Sequence, residues 1–252
     1  MLQIDRLALS VAARTLLREV SLSIEPGELW CIVGANGAGK TLFLHTLIGL
    51  RAIEHGEIRL RGRAVDQWSL AEAARVRGFL PQSTYHAFPM RVLDAVVMGR
   101  YPYLSRWRWE QDEDRLRAVD ALAAVGLPEL AHRDIMTLSG GERQRVCIAA
   151  LLAQDAPLLL LDEPVSHLDL RHQIIVLQHL RQLADAGRAV MLSIHDLNLA
   201  HRFATHVMLF RGGGACIAGP VDEVMNEAAL SDAFGCRVTR ITAAERTLFL
   251  AA

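Results

Sequence analysis

Lysine is almost absent from this sequence. Among its 252 residues, the 27 basic side chains are 26 arginines and a single lysine, Lys40. Such a preference reflects genome composition, but it also means that arginine serves wherever a generic positive charge suffices. Lysine differs in carrying a compact point charge on a flexible stem. Position 40 therefore has a requirement that arginine does not meet.

The net charge is close to zero, and cysteines are few. The formal net charge of -1 argues against a protein that coats nucleic acid or anionic lipid, so we expect no nucleic-acid partner. The four cysteines are scattered without a CxxC pair, which fits neither a zinc ribbon nor a secreted disulfide framework. Cysteine usage therefore indicates a cytosolic protein with reduced thiols.

Long apolar runs are missing as well. The longest, near Val146–Ala153 and Leu158–Leu161, fall short of the roughly 18 to 20 residues that a membrane span needs. Residues 1–10 lack the basic start and apolar core of a signal peptide. We therefore expect any membrane role to come through a partner. The 52% hydrophobic content excludes a disordered chain.

Apolar strand-like runs alternate with helical segments along much of the chain. Glu28–Val33, Leu158–Leu161 and Arg188–Ile194 are typical of buried strands, and Lys40–Leu50 is typical of a helix. This alternation predicts an α/β fold with a mostly parallel sheet. Near the C-terminus, Arg211–Gly214 predicts a hairpin turn, followed by short helical pieces.

Two parts of the chain depart from this alternation. Leu2–Ile24 and Gly56–Leu60 are typical of short antiparallel strands, whereas the stretch from about Val92 to Met136 is helical in pattern. We predict a single domain with a small antiparallel β subdomain and a helical subdomain. Its approximate parts are the core with the antiparallel part over 1–91 and 158–252, and the helical subdomain over 92–157.

A glycine-rich loop follows the first predicted buried strand and precedes a helix. Its sequence matches GxxxxGK[ST] in the context that this motif requires. The glycines let successive N–H groups point at phosphate oxygens, Lys40 places an ammonium between the β- and γ-phosphates, and Thr41 offers a hydroxyl to Mg²⁺. The motif predicts a P-loop NTPase core in which ATP and Mg²⁺ are bound by Gly34, Ala35, Asn36, Gly37, Ala38, Gly39, Lys40 and Thr41.

Two carboxylates follow the four-leucine strand. We expect Asp162 to hold Mg²⁺, through water, and Glu163 to act as general base on the attacking water. The alternative, a surface turn capped by Pro164, fits a strand downstream of a phosphate loop less well. His195 ends the next apolar strand and is predicted to contact the γ-phosphate, although an isolated histidine is more often structural. The Gln82 amide is predicted to join the Mg²⁺ or water shell, although most glutamines are merely solvated.

A second anion-binding sequence precedes the helical run Val146–Ala153. Ser139 is a favourable N-cap, and Gly140 and Gly141 expose backbone N–H groups at the helix start. A single ATP does not need two such sites far apart in sequence. Two chains arranged head to tail and sharing two ATP molecules would use both, so the pattern predicts a second copy of this chain as a partner.

Order and spacing of these motifs resemble the ATP-binding subunits of ABC transporters over nearly the whole chain. The resemblance implies ATP hydrolysis, with Glu163 activating water while His195 and Gln82 sense the γ-phosphate. The matching segments are Gly34–Thr41 (Walker A), Gln82 (Q-loop), Leu138–Gln144 (the LSGGQ signature, with Glu142 where glutamine is usual), Leu158–Glu163 (Walker B), Ser166–Asp169 (D-loop) and His195 (switch histidine).

The same resemblance implies a set of partners. Two copies would sandwich two Mg-ATP, with Ser139, Gly140, Gly141 and Asp169 adding to the nucleotide contacts. Closure and hydrolysis would drive a polytopic membrane permease, gripped at its cytoplasmic coupling helices by the Q-loop and the helical subdomain. A substrate-binding protein would act indirectly. The chain would then be cytoplasmic and peripheral on the inner face of the cell membrane.

A narrower resemblance lies in two further stretches. Val92–Tyr103, with the pattern VxxxVxxGRxPY, and Ile194–Ala200 are similar to the ATPases of importers for ferric siderophores, haem and cobalamin. This implies uptake of a metal chelate. A permease-docking surface and ordinary packing explain equally well the aromatic residues of this region, Tyr101, Tyr103, Trp107 and Trp109.

One departure from the family concerns the base of the nucleotide. Members often place an aromatic residue in the first β part to stack on adenine. Here the corresponding residues 10–13 include no aromatic, and Val11 offers only apolar contact. The sequence therefore predicts weaker stacking of the base and looser base selectivity.

Two other classes of protein compete with a transport ATPase. A soluble ABC ATPase acting on ribosomes or DNA would usually bring tandem ATPase halves, a long coiled-coil insertion or a basic arm, and none is visible in the sequence. A P-loop kinase would leave the stretch from Leu138 to Gln144 without a role. We therefore favour the ATPase subunit of an importer.

Overall fold

Three sheets are present in the part of the chain that the computed structural model describes, residues 1–12, 14–83, 88–104, 110–243 and 246–251. One is a six-stranded, mostly parallel sheet, one a four-stranded antiparallel sheet, and one a two-stranded hairpin. The strands are β1 (Leu2–Val11), β2 (Arg14–Ile24), β3 (Leu29–Gly34), β4 (His55–Leu60), β5 (Arg63–Ala64), β6 (Arg77–Leu80), β7 (Leu158–Leu161), β8 (Ala189–Ser193), β9 (His206–Gly212), β10 (Ala215–Pro220), β11 (Val238–Ala243) and β12 (Arg246–Ala251).

Helices connect most of these strands. They are α1 (Lys40–Leu47), α2 (Leu70–Val76), α3 (Val92–Val97), α4 (Asp112–Ala124), α5 (Gly140–Gln154), α6 (Leu170–Asp185), α7 (Leu197–Phe203), α8 (Val221–Val224) and α9 (Glu227–Phe234). Helix α1 is shorter than predicted, because Gly49 at φ 73° takes the left-handed conformation that ends it. Over the described ranges, no helix combines the length and apolarity needed to cross a bilayer.

The central sheet has the strand order β10-β9-β3-β8-β7-β6. Its strands are parallel except for β10, which pairs antiparallel with β9. β3 and β7 are buried along their whole length, as the continuous apolar runs predict for strands covered on both faces. Because parallel strands end at the same edge, the segments after β3, β6, β7 and β8 meet there. The predicted α/β fold is confirmed.

Strand β7 separates two hydrophobic cores. Leu158 and Leu160 pack with the antiparallel sheet and α1, whereas Leu159 and Leu161 pack with the helical part of the chain. Successive side chains of a strand point to opposite faces, so four leucines in a row supply both cores. The antiparallel sheet has the order β2-β1-β4-β5, in agreement with the short antiparallel strands that the sequence predicts.

The GRxPY motif holds the helical part together. A Cβ on Gly99 would lie 2.1 Å from the carbonyl oxygen of Ala150, so only glycine permits this contact with α5. The buried Arg100 pairs with the buried Asp114 at 2.8 Å and lies 4.1 Å from the ring centroid of Tyr103. Tyr103 therefore serves packing, whereas Tyr101 is 59% exposed. Trp107 and Trp109 lie outside the described residues.

Two hairpins occupy the C-terminal part. The first, between β9 and β10, turns at the glycines where the sequence predicts it. The short helical pieces that the sequence predicts after it are α8 and α9. The second hairpin, β11–β12, follows these helices and was not predicted. Asn198 on α7 holds this hairpin, because its side chain accepts a hydrogen bond from the Phe249 N–H at 2.7 Å and donates to the Phe249 carbonyl at 3.3 Å.

Candidate active site

The glycine-rich loop joins β3 to α1 at the carboxyl edge of the central sheet. Gly39 is the N-cap of α1 with φ 107°, and a Cβ there would lie 3.0 Å from Leu16 Cδ1. Gly34 is equally confined, because a Cβ added there would lie 2.8 Å from the Cβ of Phe210. A side chain at either position would therefore displace the loop. The strand–loop–helix arrangement directs the backbone N–H groups of the helix start into one concavity.

Lys40 lies at the base of this loop with only 6% of its surface exposed. Its Nζ donates hydrogen bonds to the carbonyl oxygens of Gly34, at 2.9 Å, and Ala35, at 3.2 Å. Burial lowers the pKa of Lys40, and the carboxylates of Glu163 and Asp162 oppose this shift. The single lysine is thus a cation fixed inside the loop rather than a solvated surface charge.

A cavity of about 540 Å³ lies over the loop. It brings together predicted residues that are remote in sequence, since Gln82, Glu163 and His195 line it alongside the loop from Asn36 to Thr41. Val11, predicted to lie at the adenine, also lines the cavity, whereas the lining residues Arg14, Leu16 and Leu42 were not predicted. Stacking on an aromatic side chain contributes about 1–3 kcal/mol per base, and Val11 cannot supply it.

The two carboxylates after β7 occupy different environments. Asp162 is 1% exposed, which excludes the surface turn that the sequence left open. Its Oδ1 accepts a hydrogen bond from Ser193 Oγ at 2.6 Å, and Oδ2 has no hydrogen-bond partner among the described residues. Glu163 lines the cavity instead, and its Oε1 lies 2.6 Å from His195 Nε2. One carboxylate is therefore buried behind the loop, and the other faces the cavity.

Ser193 is a site residue that sequence reasoning missed. Fully buried at the end of β8, it donates to Asp162 and accepts a hydrogen bond from the Glu163 N–H at 2.8 Å. This second contact holds Glu163 at φ 48°, a conformation that side-chain-bearing residues rarely adopt and that clusters at functional sites. The sequence feature that could have identified Ser193 is its hydroxyl, which lies within an otherwise apolar run just before His195.

The signature sequence forms a capped helix start outside this cavity. The Ser139 side chain accepts from the Glu142 N–H at 3.3 Å, while Glu142 Oε2 accepts from the Ser139 N–H at 2.8 Å and from its hydroxyl at 2.7 Å. This is a capping box, which confirms Ser139 as the N-cap of α5. The backbone hydrogen bond from Ser139, followed by the one from its hydroxyl, lowers the pKa of Glu142.

The D-loop packs beside the signature. A Cβ on Gly141 would lie 3.4 Å from the carbonyl oxygen of His167. Asp169 caps α6 by accepting from the His172 N–H at 2.9 Å, and this hydrogen bond is the main reason for its lowered pKa. None of Ser139, Gly140, Gly141 and Asp169 belongs to the described lining of the ATP cavity. Within one chain, the two predicted anion sites are separate.

This arrangement defines the class of P-loop ATPases. The concavity of N–H groups and Lys40 suit a polyphosphate, and a carboxylate that faces the same space suits activation of water. Comparison with a family model and with four known proteins identifies the family within this class.

Residues 17–166 match the ABC transporter family model. The chain is 42% identical to a hemin import ATP-binding protein of Streptomyces coelicolor, covering 90% of this chain and 81% of that protein. It is 38% identical to a petrobactin import ATP-binding protein of Bacillus anthracis, covering 92% and 86%. An inward-facing structure of a putative metal-chelate type ABC transporter superposes with TM-score 0.86, at 27% identity, over 100% of this chain and 97% of the other. A dimeric ATP-binding cassette with bound ADP and Pi has TM-score 0.73, at 25% identity, over 88% and 99%.

The chain therefore belongs to the ABC transporter family and is an ATP-binding subunit that hydrolyses ATP. The resemblance stated from the sequence is confirmed, and the P-loop kinase alternative is excluded. The names of the relatives agree with the narrower resemblance to importers of iron chelates.

Proposed function

We propose that this chain powers the uptake of a metal chelate, haem or a ferric siderophore, by a membrane permease. The observation that carries the proposal is similarity of about 40% along nearly the whole chain to proteins named for hemin and petrobactin import. The metal-chelate class of the matching transporter structure supports it as well. Cobalamin, which the sequence resemblance also includes, is the third cargo to test.

Mg²⁺ fits two side chains that line the cavity and one carboxylate close to Lys40. Thr41, Asp162 and Gln82 offer a hydroxyl, a carboxylate and an amide oxygen, the hard donors that this ion prefers. Asp162 Oδ2 is buried and unpartnered among the described residues, as expected of a carboxylate that acts on an ion or its water. When bound, Mg²⁺ would neutralise charge on the β- and γ-phosphates.

Hydrolysis in this proposal begins at Glu163. Its carboxylate accepts a proton from water as the water oxygen forms a bond to the γ-phosphorus, and the bond to the ADP oxygen breaks. Lys40 stabilises the negative charge on the phosphates. His195, hydrogen-bonded to Glu163 in this structure, is placed to exchange that contact for the γ-phosphate. Ser193 acts as a positioning residue, since it fixes the Glu163 backbone.

We further propose that two copies assemble head to tail. Ser139, Gly140, Gly141 and Asp169 lie away from the ATP cavity of their own chain, so they act on ATP only if a second chain presents them. The dimeric cassette structure that this chain resembles supports such an arrangement. In the dimer, the N–H groups at the start of α5 would contribute a second set of donors to the γ-phosphate.

Replacing Ser139 with tyrosine is expected to abolish ATP-dependent dimerisation while the monomer still binds ATP. The ring fills the space at the start of α5 that the partner's nucleotide must approach, but it is remote from the cavity of its own chain. Light scattering with and without ATP measures the dimer, and equilibrium dialysis measures binding. Ser139→Ala, which removes only the cap, is the control for helix stability. Loss of ATP binding by the Ser139→Tyr monomer would contradict the head-to-tail site.

The permease is proposed to bind beside the Q-loop. A groove of about 230 Å³ lies between the end of β6 and helices α3 and α5, and is lined by Leu80, Pro81, Ala95 and Val146 among others. It is next to Gln82, so a permease segment seated there would contact both the ATP site and the helical part. The chain would then lie on the cytoplasmic face of the membrane, and a substrate-binding protein would act through the permease.

Uptake in a deletion strain tests the proposed cargo. We expect uptake of labelled haem or ferric chelate to fall and to be restored by the wild-type gene but not by Glu163→Gln. Cobalamin uptake, measured in parallel, shows whether cobalamin is the cargo instead. The tagged protein should co-purify with a polytopic membrane protein. Normal uptake of all three ligands, with the protein recovered only on ribosomes or nucleoid, would contradict the proposal and favour the soluble ABC ATPase.

A further inference from the structure

Arg14 lines the ATP cavity from the antiparallel sheet, in a position that none of the family motifs includes. It begins β2 and is the cross-strand partner of Val11 on β1. Paired residues of neighbouring strands present their side chains on the same face. Leu16, two residues further along β2, lies on that face too, and its Cδ1 would be 3.0 Å from a Cβ added at Gly39. One face of the hairpin is thus presented to the phosphate loop.

The guanidinium of Arg14 reaches the middle of that loop. Its Nη1 lies 4.0 Å from the position that a Cβ on Gly37 would occupy. Arg14 is exposed, and within the described ranges its side chain has neither a hydrogen bond nor an ion pair. Arg59, by contrast, is an exposed arginine that pairs with Glu57 at 2.9 Å. An unpaired cation therefore faces the loop whose N–H groups bind phosphate.

The charges that surround the cavity show why a second cation matters. Lys40 is held close to two carboxylates, Glu163 and Asp162, which raise its pKa against the effect of burial. In the described lining, the charge of Lys40 is offset by that of Glu163, so these two residues leave no net positive charge for a polyphosphate. Arg14 supplies it, and its planar fork matches two phosphate oxygens at once.

We propose that Arg14 is a phosphate-binding residue of the nucleotide site, acting on the phosphates held by the loop around Gly37. This inference rests on the proposed ATP site and deepens it. It also fits the lack of an aromatic residue in the region 10–13, where the sequence predicts weak stacking on the base. Nucleotide affinity then depends on the phosphates more than on the base.

Four variants test the role of Arg14. Arg14→Gln removes the charge, Arg14→Lys keeps it, and Arg14→Tyr provides a ring for stacking. The control is Arg18→Gln, because Arg18 is exposed on the same strand but packs against Gly214. Affinities for ATP, inorganic tripolyphosphate and adenosine are measured by calorimetry at low ionic strength, where charge contacts are least screened.

The expected result is specific to phosphate. Arg14→Gln should weaken ATP and tripolyphosphate about tenfold, as for loss of a charged hydrogen bond, and leave adenosine unchanged. Arg14→Tyr should weaken tripolyphosphate to the same extent. Arg14→Lys keeps the charge but loses the planar fork, so it should weaken binding of both ligands less than Arg14→Gln does. Arg18→Gln should keep the full affinity. Loss of adenosine binding that Arg14→Tyr restores would show stacking on the base and overturn the proposal. Unchanged ATP affinity in Arg14→Gln would also overturn it. Failure of the wild-type protein to bind ATP would instead refute the ATP site itself.

Discussion

Glu163→Gln is expected to lower ATP turnover by about 10² to 10⁴-fold while ATP still binds. Glutamine has nearly the same size, and its backbone N–H keeps the hydrogen bond to Ser193 that fixes the turn. The amide cannot accept the proton of the attacking water, so chemistry stops before the γ-phosphate is cleaved. Phosphate release measures turnover, and equilibrium dialysis measures binding. Because hydrolysis reopens the proposed dimer, the variant should also accumulate as an ATP-bound dimer.

Two comparisons make the Glu163 result specific. Glu129→Gln makes the same chemical change at an exposed carboxyl away from the cavity and should retain wild-type turnover. Ser193→Ala leaves the carboxylate but removes the hydroxyl that holds Asp162 and the Glu163 backbone, so it should lower kcat with little change in ATP binding. Turnover close to wild type in Glu163→Gln would remove Glu163 from the role of base and leave water activation to another group.

The parts of the site that sequence predicts best are those in which neighbouring residues determine the conformation. The glycine-rich loop needs its strand and helix, and both are coded by adjacent residues. The same is true of Ser139 and Glu142, which are three residues apart and close a capping box. Four consecutive leucines predict a strand covered on both faces, and the structure has one hydrophobic core on each face of this strand.

Contacts between remote segments were not predictable in the same way. Ser193 bonds to two residues about 30 positions away, across neighbouring strands whose pairing is known only from the sheet order. Arg14 reaches Gly37 because the antiparallel hairpin folds over the loop. The β11–β12 hairpin is two-stranded and is held by contacts with α7 and α9, so its own sequence carries little signal.

Lys40→Arg is expected to lower kcat/KM for ATP by about 10²-fold or more, although it conserves charge. The space around the Lys40 Nζ is narrow. The atom is hydrogen-bonded to the carbonyl oxygens of Gly34 and Ala35 and lies close to two carboxylates. A guanidinium is larger and planar, so it must either distort the loop or withdraw from the γ-phosphate. The loop has little room to move, because Phe210 and Leu16 leave no space even for a Cβ at Gly34 or Gly39. Phosphate release and ATP binding should both fall.

Arg59→Lys is the matched reverse exchange, at an exposed pair whose contribution to stability is small. It should leave turnover and melting temperature unchanged, which would show that arginine and lysine are interchangeable where only a positive charge is needed. If Lys40→Arg hydrolysed ATP like the wild type, the single lysine would be an accident of composition. The expected contrast between the two exchanges follows from geometry, because Lys40 is buried in the loop and Arg59 is exposed. The composition agrees with it, since 26 of the 27 basic residues are arginine and only the buried loop position is lysine.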